Sequence, residues 1–383
     1  MSAPHTSAPE APCRTEQELQ LLQRNGGLEV CTAAAFRQRV AELGLEQAFA
    51  QTHVVVASEA GFTAQASLVL HLGPSDPPMR IERCRLGTAE GSGGHGNTDL
   101  VLPIQRGGAY ALEQLLRGET LPFSASGVAT GQQPRQELET QLTLEEIGAG
   151  RLLLHRGIAE NGVVAVSSRE GLTPTPWGPV LGPLASGLFS CGGAGSIGLT
   201  MPELHGLGPG SPVLVAGAIG WVSGAGAGHN PQVRRQASGH ALSPGASCAL
   251  EVDLHSLDRR WIRACEHQEL GSALLVAIAA PIPLLNLITA KQASCDNTQL
   301  EAPVLDYGIP RRIRPSLGRA RYSDLLRGEL RLGERRLRCA PAHSPRLAAE
   351  LADELIEQLR SGHFPLRLPL LPLPQRPALL PLE

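Results

Sequence analysis

The spacing of hydrophobic and polar positions changes several times in the first sixty residues, and each change predicts a different element. Thr15 followed three residues later by Glu18 is a capping box, which predicts a helix start, and leucines follow on one helical face. Apolar residues return at helical spacing over about residues 32–50, which predicts a second helix. Residues 53–57 are rich in valine and predict a strand.

Four further elements can be read in the rest of the chain. A short helix fits residues 109–117, and another is predicted to begin at Thr143, where carboxylates follow in the first turn. Residues 273–285 are strongly apolar but too short to cross a bilayer, so we predict a buried strand followed by a turn. The last helix is capped by Ser344, begins with a proline, has a leucine at every fourth position and ends at Gly362.

Strand and helix patterns alternate along most of the chain, and this alternation predicts an α/β fold. We expect a single compact, glycine-rich, mixed α/β domain over residues 15–362, with short strands and a C-terminal helix. Residues 1–14 are expected to be a disordered tail. Residues 363–383 are rich in proline and are expected to be extended or docked, without helix.

Composition narrows the classes of function. The formal net charge of −3 gives no reason to expect nucleic acid as a partner. The eight cysteines include no C-x-x-C pair, which argues against a self-contained zinc or iron–sulfur site. We find no secretory signal and no membrane span, so we expect a cytoplasmic protein with reduced thiols and no membrane partner.

Lys291 is the single lysine of the chain, and all other basic side chains are arginine. Because a Schiff base requires a lysine amine, pyridoxal-phosphate chemistry would have this one residue to use. We expect Lys291 to be an exposed helix residue and the protein to use no cofactor.

Two glycine-rich segments, residues 187–198 and 217–231, stand out in the middle of the chain. Glycine there either allows tight turns and close packing, or brings backbone N–H groups up to an anionic ligand. The ligand-binding alternative makes the following residues candidates for a site: Cys191, Gly192 and Gly193 in the first segment, and Gly217, Gly220, His229 and Asn230 in the second.

Three segments near the C-terminus carry a family resemblance. Residues 280–286 read APIPLLN, residues 302–312 read APVLDYGIPRR and residues 314–318 read RPSLG. Their order resembles the homocysteine biosynthesis, sulfur-incorporation enzyme family, and weaker matches extend the resemblance over about residues 15–360. The resemblance implies sulfur transfer from cysteine thiols to aspartate semialdehyde, which gives homocysteine. It also implies a ferredoxin-like or sulfur-carrier protein as partner.

This chemistry assigns roles to the candidate residues. A persulfide is carried by a cysteine whose thiolate is stabilised, and Cys191 has the most suitable neighbours; Cys84 and Cys265, each beside arginines, are second choices. The remaining candidates are His229 for proton transfer, Asp306 for orienting a substrate amine, and Arg311 and Arg312 for gripping a carboxylate. The competing interpretations are a small buried side chain for the cysteine, packing for the histidine and a solvated basic face for the arginines.

The resemblance also leaves a second function open. The two segments in which the family places cysteines correspond to residues 61–67 and 131–133 here, and neither contains a cysteine. The alternative is therefore a catalytically altered relative that binds the metabolite or a partner without transferring sulfur.

Overall fold

Two β-sheets of unequal size form the framework of the protein, whose computed structural model describes residues 13–94, 98–267 and 271–376. The α-helices are α1 (Glu16–Arg24), α2 (Ala33–Leu43), α3 (Leu45–Ala50), α4 (Gly108–Leu116), α5 (Ile197–Thr200), α6 (Leu287–Ala293), α7 (Tyr322–Leu325) and α8 (Pro345–Arg360). The strands are β1 (Val30–Thr32), β2 (Val54–Thr63), β3 (Ala66–His71), β4 (Arg83–Leu86), β5 (Ala89–Gly93), β6 (Asp99–Pro103), β7 (Leu121–Ser126), β8 (Glu137–Leu142), β9 (Ala149–Ala159), β10 (Val164–Val166), β11 (Gly171–Thr173), β12 (Val180–Gly182), β13 (Ser186–Phe189), β14 (Pro212–Val215), β15 (Ala218–Ala225), β16 (Ser247–Asp253), β17 (Ile262–His267), β18 (Gly271–Pro283), β19 (Glu301–Asp306), β20 (Ser316–Arg321), β21 (Glu329–Leu332) and β22 (Arg335–Pro341).

The larger sheet has the order β1-β2-β18-β14-β15-β16-β9-β3-β6-β5-β4-β7-β8, and β17 also pairs with β18. The smaller sheet has the order β20-β19-β10-β13-β22-β21, and β11 and β12 form a separate hairpin. Both sheets mix pair directions: β1 runs parallel to β2, and β10 runs parallel to β19. The predicted class, a single compact mixed α/β domain with a C-terminal helix, is confirmed.

Helices with strong local end signals form as predicted. The Glu18 amide donates to Thr15 Oγ1 at 3.3 Å, and the Thr15 amide donates to the Glu18 carboxylate at 2.7 Å, so the capping box at α1 is complete. Ser344 caps α8 in a similar way by accepting from the Leu347 amide. The leucine stripe of α8 faces inward and packs on β2 and β18.

Two helix predictions need correction. The predicted helix over residues 32–50 is two helices, because Gly44 takes a φ of +82° between α2 and α3, and this left-handed conformation interrupts the helix. The helix predicted at Thr143 is wrong. The Thr143 amide does donate to the Glu146 carboxylate, but Ile147 is buried and the chain enters β9 at Ala149, so only a turn forms.

The strand predicted at residues 53–57 is longer than expected, and this extension matters for the site. β2 runs from Val54 to Thr63 and pairs antiparallel with β18 along its whole length. β18 itself confirms the apolar strand predicted at residues 273–285. The extra half of β2 carries Ser58 and Glu59 away from the apolar run and toward the cavity described below.

The ends of the described chain pack against the domain. Of the tail expected at residues 1–14, residues 1–12 lie outside the described part. Arg14 donates to the carbonyl oxygen of Thr52 and stacks on Phe49. Residues 363–376 form no helix, and Phe364 and Leu373 are buried in the main core. None of the helices in the described ranges has the length and apolar character needed to cross a membrane.

Candidate active site

A cavity of about 820 Å³ opens where the larger sheet meets the loops of the smaller one. Its wall includes the start of α2, the second half of β2, the end of β9 and the first turns of α8. The loop at residues 190–196, which joins β13 to α5, completes this wall together with Tyr307 and Arg314. The cavity therefore collects residues from parts of the chain that lie far apart in sequence.

Cys191 lines this cavity on a loop whose position is fixed by hydrogen bonds to three other elements. The Ser58 amide of β2 donates to the Gly195 carbonyl at 3.0 Å, and the Ala194 amide donates to Asn297 Oδ1 at 2.7 Å. Arg37 of α2 donates to the Ala194 carbonyl at 3.2 Å. These contacts hold the loop to the larger sheet and to α2, so the position of Cys191 relative to β2 is well defined.

The glycines around Cys191 serve close packing. A Cβ on Gly162 would lie 2.5 Å from Cβ of Cys191, and Gly193 has a φ of +77° with the Tyr322 ring directly against it. Gly193, in the first glycine-rich segment, therefore provides a left-handed turn, and Gly162, which lies outside that segment, allows a close approach between two backbone segments. Gly192 also lines the cavity, with His343 beside it.

The polar neighbours of Cys191 do not make it a thiolate in the empty site. Its thiol donates to Oγ of Ser196 at 3.2 Å. Burial raises the pKa of the Cys191 thiol, and contacts with Ser196, Tyr322 and the Gly193 amide offset this only in part. Burial thus outweighs the lowering of the Cys191 pKa that neighbouring backbone amides were expected to cause.

Glu59 is a carboxyl group within the same cavity, placed by β2 opposite Ile278 of β18. Burial raises the pKa of Glu59 to about 8, although the Ile197 amide and the positive charge of Arg156 act in the opposite direction. The group therefore carries a proton in most molecules at neutral pH, and it can give up or take a proton near that pH.

His343 contributes an imidazole at the start of α8. Its ring packs edge-on against Phe189 at 5.3 Å, and Nδ1 lies 3.4 Å from the Phe189 carbonyl oxygen. Because that oxygen can only accept, we assign the proton to Nδ1 and a lone pair to Nε2. Nε2 is buried and finds no hydrogen-bond partner in the part of the chain that the structure describes. Burial lowers the pKa of His343, which keeps the ring neutral.

Three arginines line the cavity, and none forms an ion pair with a carboxylate among the described residues. They are Arg37 of α2, Arg156 of β9 and Arg314, whose guanidinium stacks 4.0 Å from the Tyr307 ring centroid. Burial lowers the pKa of both Arg37 and Arg156, which shows how little water solvates them. An arginine nevertheless stays protonated in a protein, so the cavity contains positive charge with no fixed counter-ion.

The structure brings only some of the sequence candidates together. Cys191 and Gly192 line the cavity, whereas Gly193 packs against the Tyr322 ring outside the lining. Arg311 and Arg312 are exposed and do not line it, but Arg314 of the same segment does. Lys291 is exposed on α6, as expected.

The second glycine-rich segment lies away from the cavity lining. Gly217, with a φ of +83°, turns the chain between β14 and β15 against the Trp261 ring, and Gly220 packs on β14 and β16. His229 is 1% exposed; its Nε2 donates to the Pro374 carbonyl at 2.8 Å and its Nδ1 accepts from the Ser247 amide at 3.1 Å. Asn230 is exposed beside it. The geometry of His229 is that of a residue that fastens the C-terminal tail.

Asp306 is also engaged in structure. Its carboxylate accepts from the amides of Ser168 at 3.0 Å and Gly308 at 2.8 Å, and it is 2% exposed. Burial alone would raise the pKa of Asp306, but the hydrogen bonds from Ser168 and Gly308 lower it overall. The carboxylate thus organises the start of the loop that carries Tyr307 into the cavity.

Neither second-choice cysteine has a stabilised thiolate: Cys84 is buried and Cys265 is half-buried. Burial raises the pKa of Cys84 to about 11, and it also raises the pKa of Cys265. The expectation that adjacent arginines lower these pKa values is wrong. At Cys265 the carboxylates of Glu266 and Glu113 add to the effect of burial. At Cys84 the reason is that neighbours in a strand point to opposite faces. Arg83 and Arg85 are exposed, while Cys84 points into the core.

Five residues that line the cavity were not among the sequence candidates: Glu59, Arg37, Arg156, Arg314 and His343. One signal was present for Glu59, since it is a single carboxylate within a strand that is otherwise apolar or small. Arg156 follows a run of leucines in β9 and stands out in the same way. The other three show no local pattern that separates them from surface residues.

Comparison with known proteins gives a consistent result. The family described as homocysteine biosynthesis enzyme, sulfur-incorporation, matches residues 28–366. An L-aspartate semialdehyde sulfurtransferase of Methanocaldococcus jannaschii is 28% identical over 377 residues, which covers 92% of this chain and 71% of that protein. A protein of the same name from Methanosarcina acetivorans is 27% identical over 365 residues, covering 93% and 71%. No solved structure matches the chain significantly.

Proposed function

This chain belongs to the homocysteine biosynthesis enzyme, sulfur-incorporation family, and from that premise we propose that it adds sulfur to aspartate semialdehyde in the cavity around Cys191. The observation that carries the proposal is the set of residues that line the cavity. Cys191 lines it together with residues 61–65. These residues belong to the segment 61–67, which the family resemblance aligns with a cysteine-bearing stretch. Both curated relatives are named for sulfur transfer to this aldehyde.

The proposed reaction begins with a persulfide on Cys191. Its terminal sulfur attacks the aldehyde carbon, so that a C–S bond forms and the carbonyl electron pair moves to the oxygen, which takes a proton. Two electrons then break the S–S bond, which restores the Cys191 thiol and leaves a carbon bearing both a hydroxyl and a thiol group. Loss of water gives a thioaldehyde, and two more electrons with two protons give the thiol of homocysteine.

This sequence consumes four electrons and four protons for each persulfide. We therefore propose a ferredoxin-like electron-carrier protein as partner. All eight cysteines are free thiols, which suits a reducing compartment, and we propose the cytoplasm.

The cavity supplies two groups for the proton transfers. Glu59 is protonated at neutral pH, with a pKa of about 8, and is suited to donate to the aldehyde oxygen as negative charge develops there. His343 presents a lone pair on Nε2 beside Gly192, and it is suited to accept the proton of the persulfide on the adjacent residue. The burial that raises the pKa of Cys191 also keeps bulk water away from the intermediate.

Purified protein supplied with aspartate semialdehyde, a persulfide donor and a reduced ferredoxin tests the proposal. We expect homocysteine to form, and Cys191→Ser to abolish it. The exposed thiol of Cys13 provides the control, since Cys13→Ser should retain activity. Depleting the gene in its host should create a growth requirement that homocysteine satisfies. Normal growth without homocysteine, together with an active Cys191→Ser variant, would overturn the proposal.

A further inference from the structure

The cavity contains an arrangement of two arginines and a tyrosine that neither the family nor the relatives' names assign. We infer that Arg156 and Arg314, both adjacent to Tyr307, form the subsite that binds the α-carboxylate of the amino-acid substrate. The inference rests on the proposed function, because it takes the ligand to be a small amino acid with a reactive group at its far end.

The first support is the position of the two guanidinium groups. Arg156 projects from β9 in the larger sheet, whereas Arg314 lies just before β20 in the smaller one. Both line the cavity, and both are close enough to Tyr307 to act electrostatically on its phenol. Two elements far apart in sequence thus deliver two positive charges to one wall of the cavity.

The second support is unused hydrogen-bonding capacity. Nε of Arg314 is buried and has no hydrogen-bond partner in the described part of the chain. Arg156 has one long contact, 3.5 Å from Nη1 to the Ala227 carbonyl oxygen. A buried donor left without a partner costs free energy, and a bound carboxylate would satisfy several such donors at once.

The third support is that Arg314 is held in place before a ligand arrives. The Arg314 guanidinium stacks on the Tyr307 ring, and that ring packs edge-on against Trp177 at 5.9 Å between centroids. The turn carrying Tyr307 is fixed by the Asp306 carboxylate through the amides of Ser168 and Gly308. A side chain fixed in this way loses little conformational entropy when it binds.

The charge balance of the cavity favours an anion. Arg37, Arg156 and Arg314 are positive, Asp353 lies exposed on α8, and Glu59 is mainly uncharged at neutral pH. Nη1 of Arg37 is also buried without a hydrogen-bond partner among the described residues, but its Nη2 supports the Cys191 loop through the Ala194 carbonyl, so we place Arg37 outside the proposed pair. The subsite accordingly consists of Arg156, Arg314 and Tyr307. The aldehyde end of the substrate then lies at the loop of Cys191.

The test pairs a change in the protein with a change in the ligand. L-Homoserine keeps the amine and carboxylate of the substrate but has a stable hydroxyl in place of the aldehyde. 2-Aminobutane-1,4-diol differs from homoserine only by having CH₂OH in place of the carboxylate. Binding of both ligands is measured by calorimetry for the wild type, Arg156→Lys, Arg314→Lys and the control Arg319→Lys. Arg319 is an exposed arginine of the same basic segment.

We expect each of the two cavity substitutions to weaken homoserine binding about tenfold, because lysine offers a point charge where arginine offers a planar fork of donors. The diol should bind weakly to every variant and change less than twofold, and Arg319→Lys should match the wild type. A variant that failed to fold would lose both ligands, so the difference between ligands isolates the carboxylate contact.

Three results would overturn the inference: no homoserine binding to the wild type at about 10 mM, equal losses for both ligands, or a loss in the control Arg319→Lys as large as in the two cavity variants. No sulfur donor is present in this experiment, so it is independent of sulfur transfer. Arginine-dependent binding without homocysteine formation would reject the proposed function and keep the subsite. Homocysteine formation together with binding that does not depend on these arginines would keep the proposed function and reject the subsite.

Discussion

Gly162 and Cys191 pack so closely that a Cβ on the glycine would lie 2.5 Å from Cβ of the cysteine. The same added atom would lie 2.8 Å from Oγ of Ser190 and 2.9 Å from the Cys191 nitrogen, so no flexible side-chain end can move aside. This contact joins the segment after β9 to the loop after β13, and it sets the depth of Cys191 within the cavity.

Gly162→Ala is therefore expected to displace the Cys191 loop. The free energy of unfolding should fall by about 1–3 kcal/mol, as for other overpacked sites, and sulfur transfer should fall with it. Gly131→Ala is the matched control, because nothing lies within 4 Å of the added Cβ there. Urea denaturation and alkylation of Cys191 would measure both effects. Equal stability and equal alkylation in the two variants would show that the contact does not position the thiol.

Glu59→Gln is expected to change how stability depends on pH. The pKa of Glu59 rises from an ordinary value of 4.5 to about 8 on folding, so the folded state binds more protons than the unfolded state between these values. Wild-type stability consequently falls as pH rises through this window, whereas glutamine does not titrate. The stability of the variant relative to the wild type should increase from pH 5 to pH 8, as measured by urea denaturation.

The exposed strand carboxylate Glu90 provides the control for that experiment, since Glu90→Gln should show no such trend. Homocysteine formation by Glu59→Gln should fall by roughly 10²–10⁴-fold, which is the usual contribution of a positioned acid or base. If Glu59→Gln kept full activity, and if its stability relative to the wild type did not change with pH, Glu59 would be neither a proton donor nor a group with a raised pKa.

His229→Ala is expected to release the C-terminal tail without affecting the chemistry. It removes the donor to the Pro374 carbonyl and the acceptor for the Ser247 amide, both in a buried setting. A cost of about 1–3 kcal/mol in unfolding free energy should follow, together with faster proteolysis of residues 363–376. Replacing the exposed His363 should do neither. If His229→Ala instead kept full stability and lost homocysteine formation, the catalytic role suggested by the sequence would be restored.

The sequence predicted well those elements whose signals are local. The capping box at Thr15 and the leucine stripe of α8 specify helix ends and a buried face within a few residues. Gly44 and the turn at Thr143 were misjudged, because the deciding factors are a left-handed φ and the burial of Ile147 in the folded domain. Both depend on packing that lies outside a local window.

The site itself was only partly predictable. Cys191 was found because it lies in a glycine-rich segment, but an equally glycine-rich segment around Gly220 forms a hairpin. Arg314 lies two residues after Arg312, and stacking on Tyr307 is what turns it toward the cavity. Glu59 and Arg156 reach the same cavity because β2 and β9 come into contact in the folded domain, although four strands separate them in the order of the larger sheet. Such long-range placement has no signature in a single sequence.

The central claim is that Cys191 carries the sulfur, and direct detection of its persulfide tests this most directly. The protein would be incubated with a persulfide donor without aldehyde or reductant, alkylated, digested and analysed by mass spectrometry. The account predicts an added sulfur on Cys191, which lines the cavity, and this sulfur should disappear when aspartate semialdehyde and reduced ferredoxin are supplied. Cys84 and Cys248 should stay unmodified because both are buried in the main core and do not line the cavity. Sulfur found on other cysteines alone, or an added sulfur on Cys191 that persists through turnover, would contradict it.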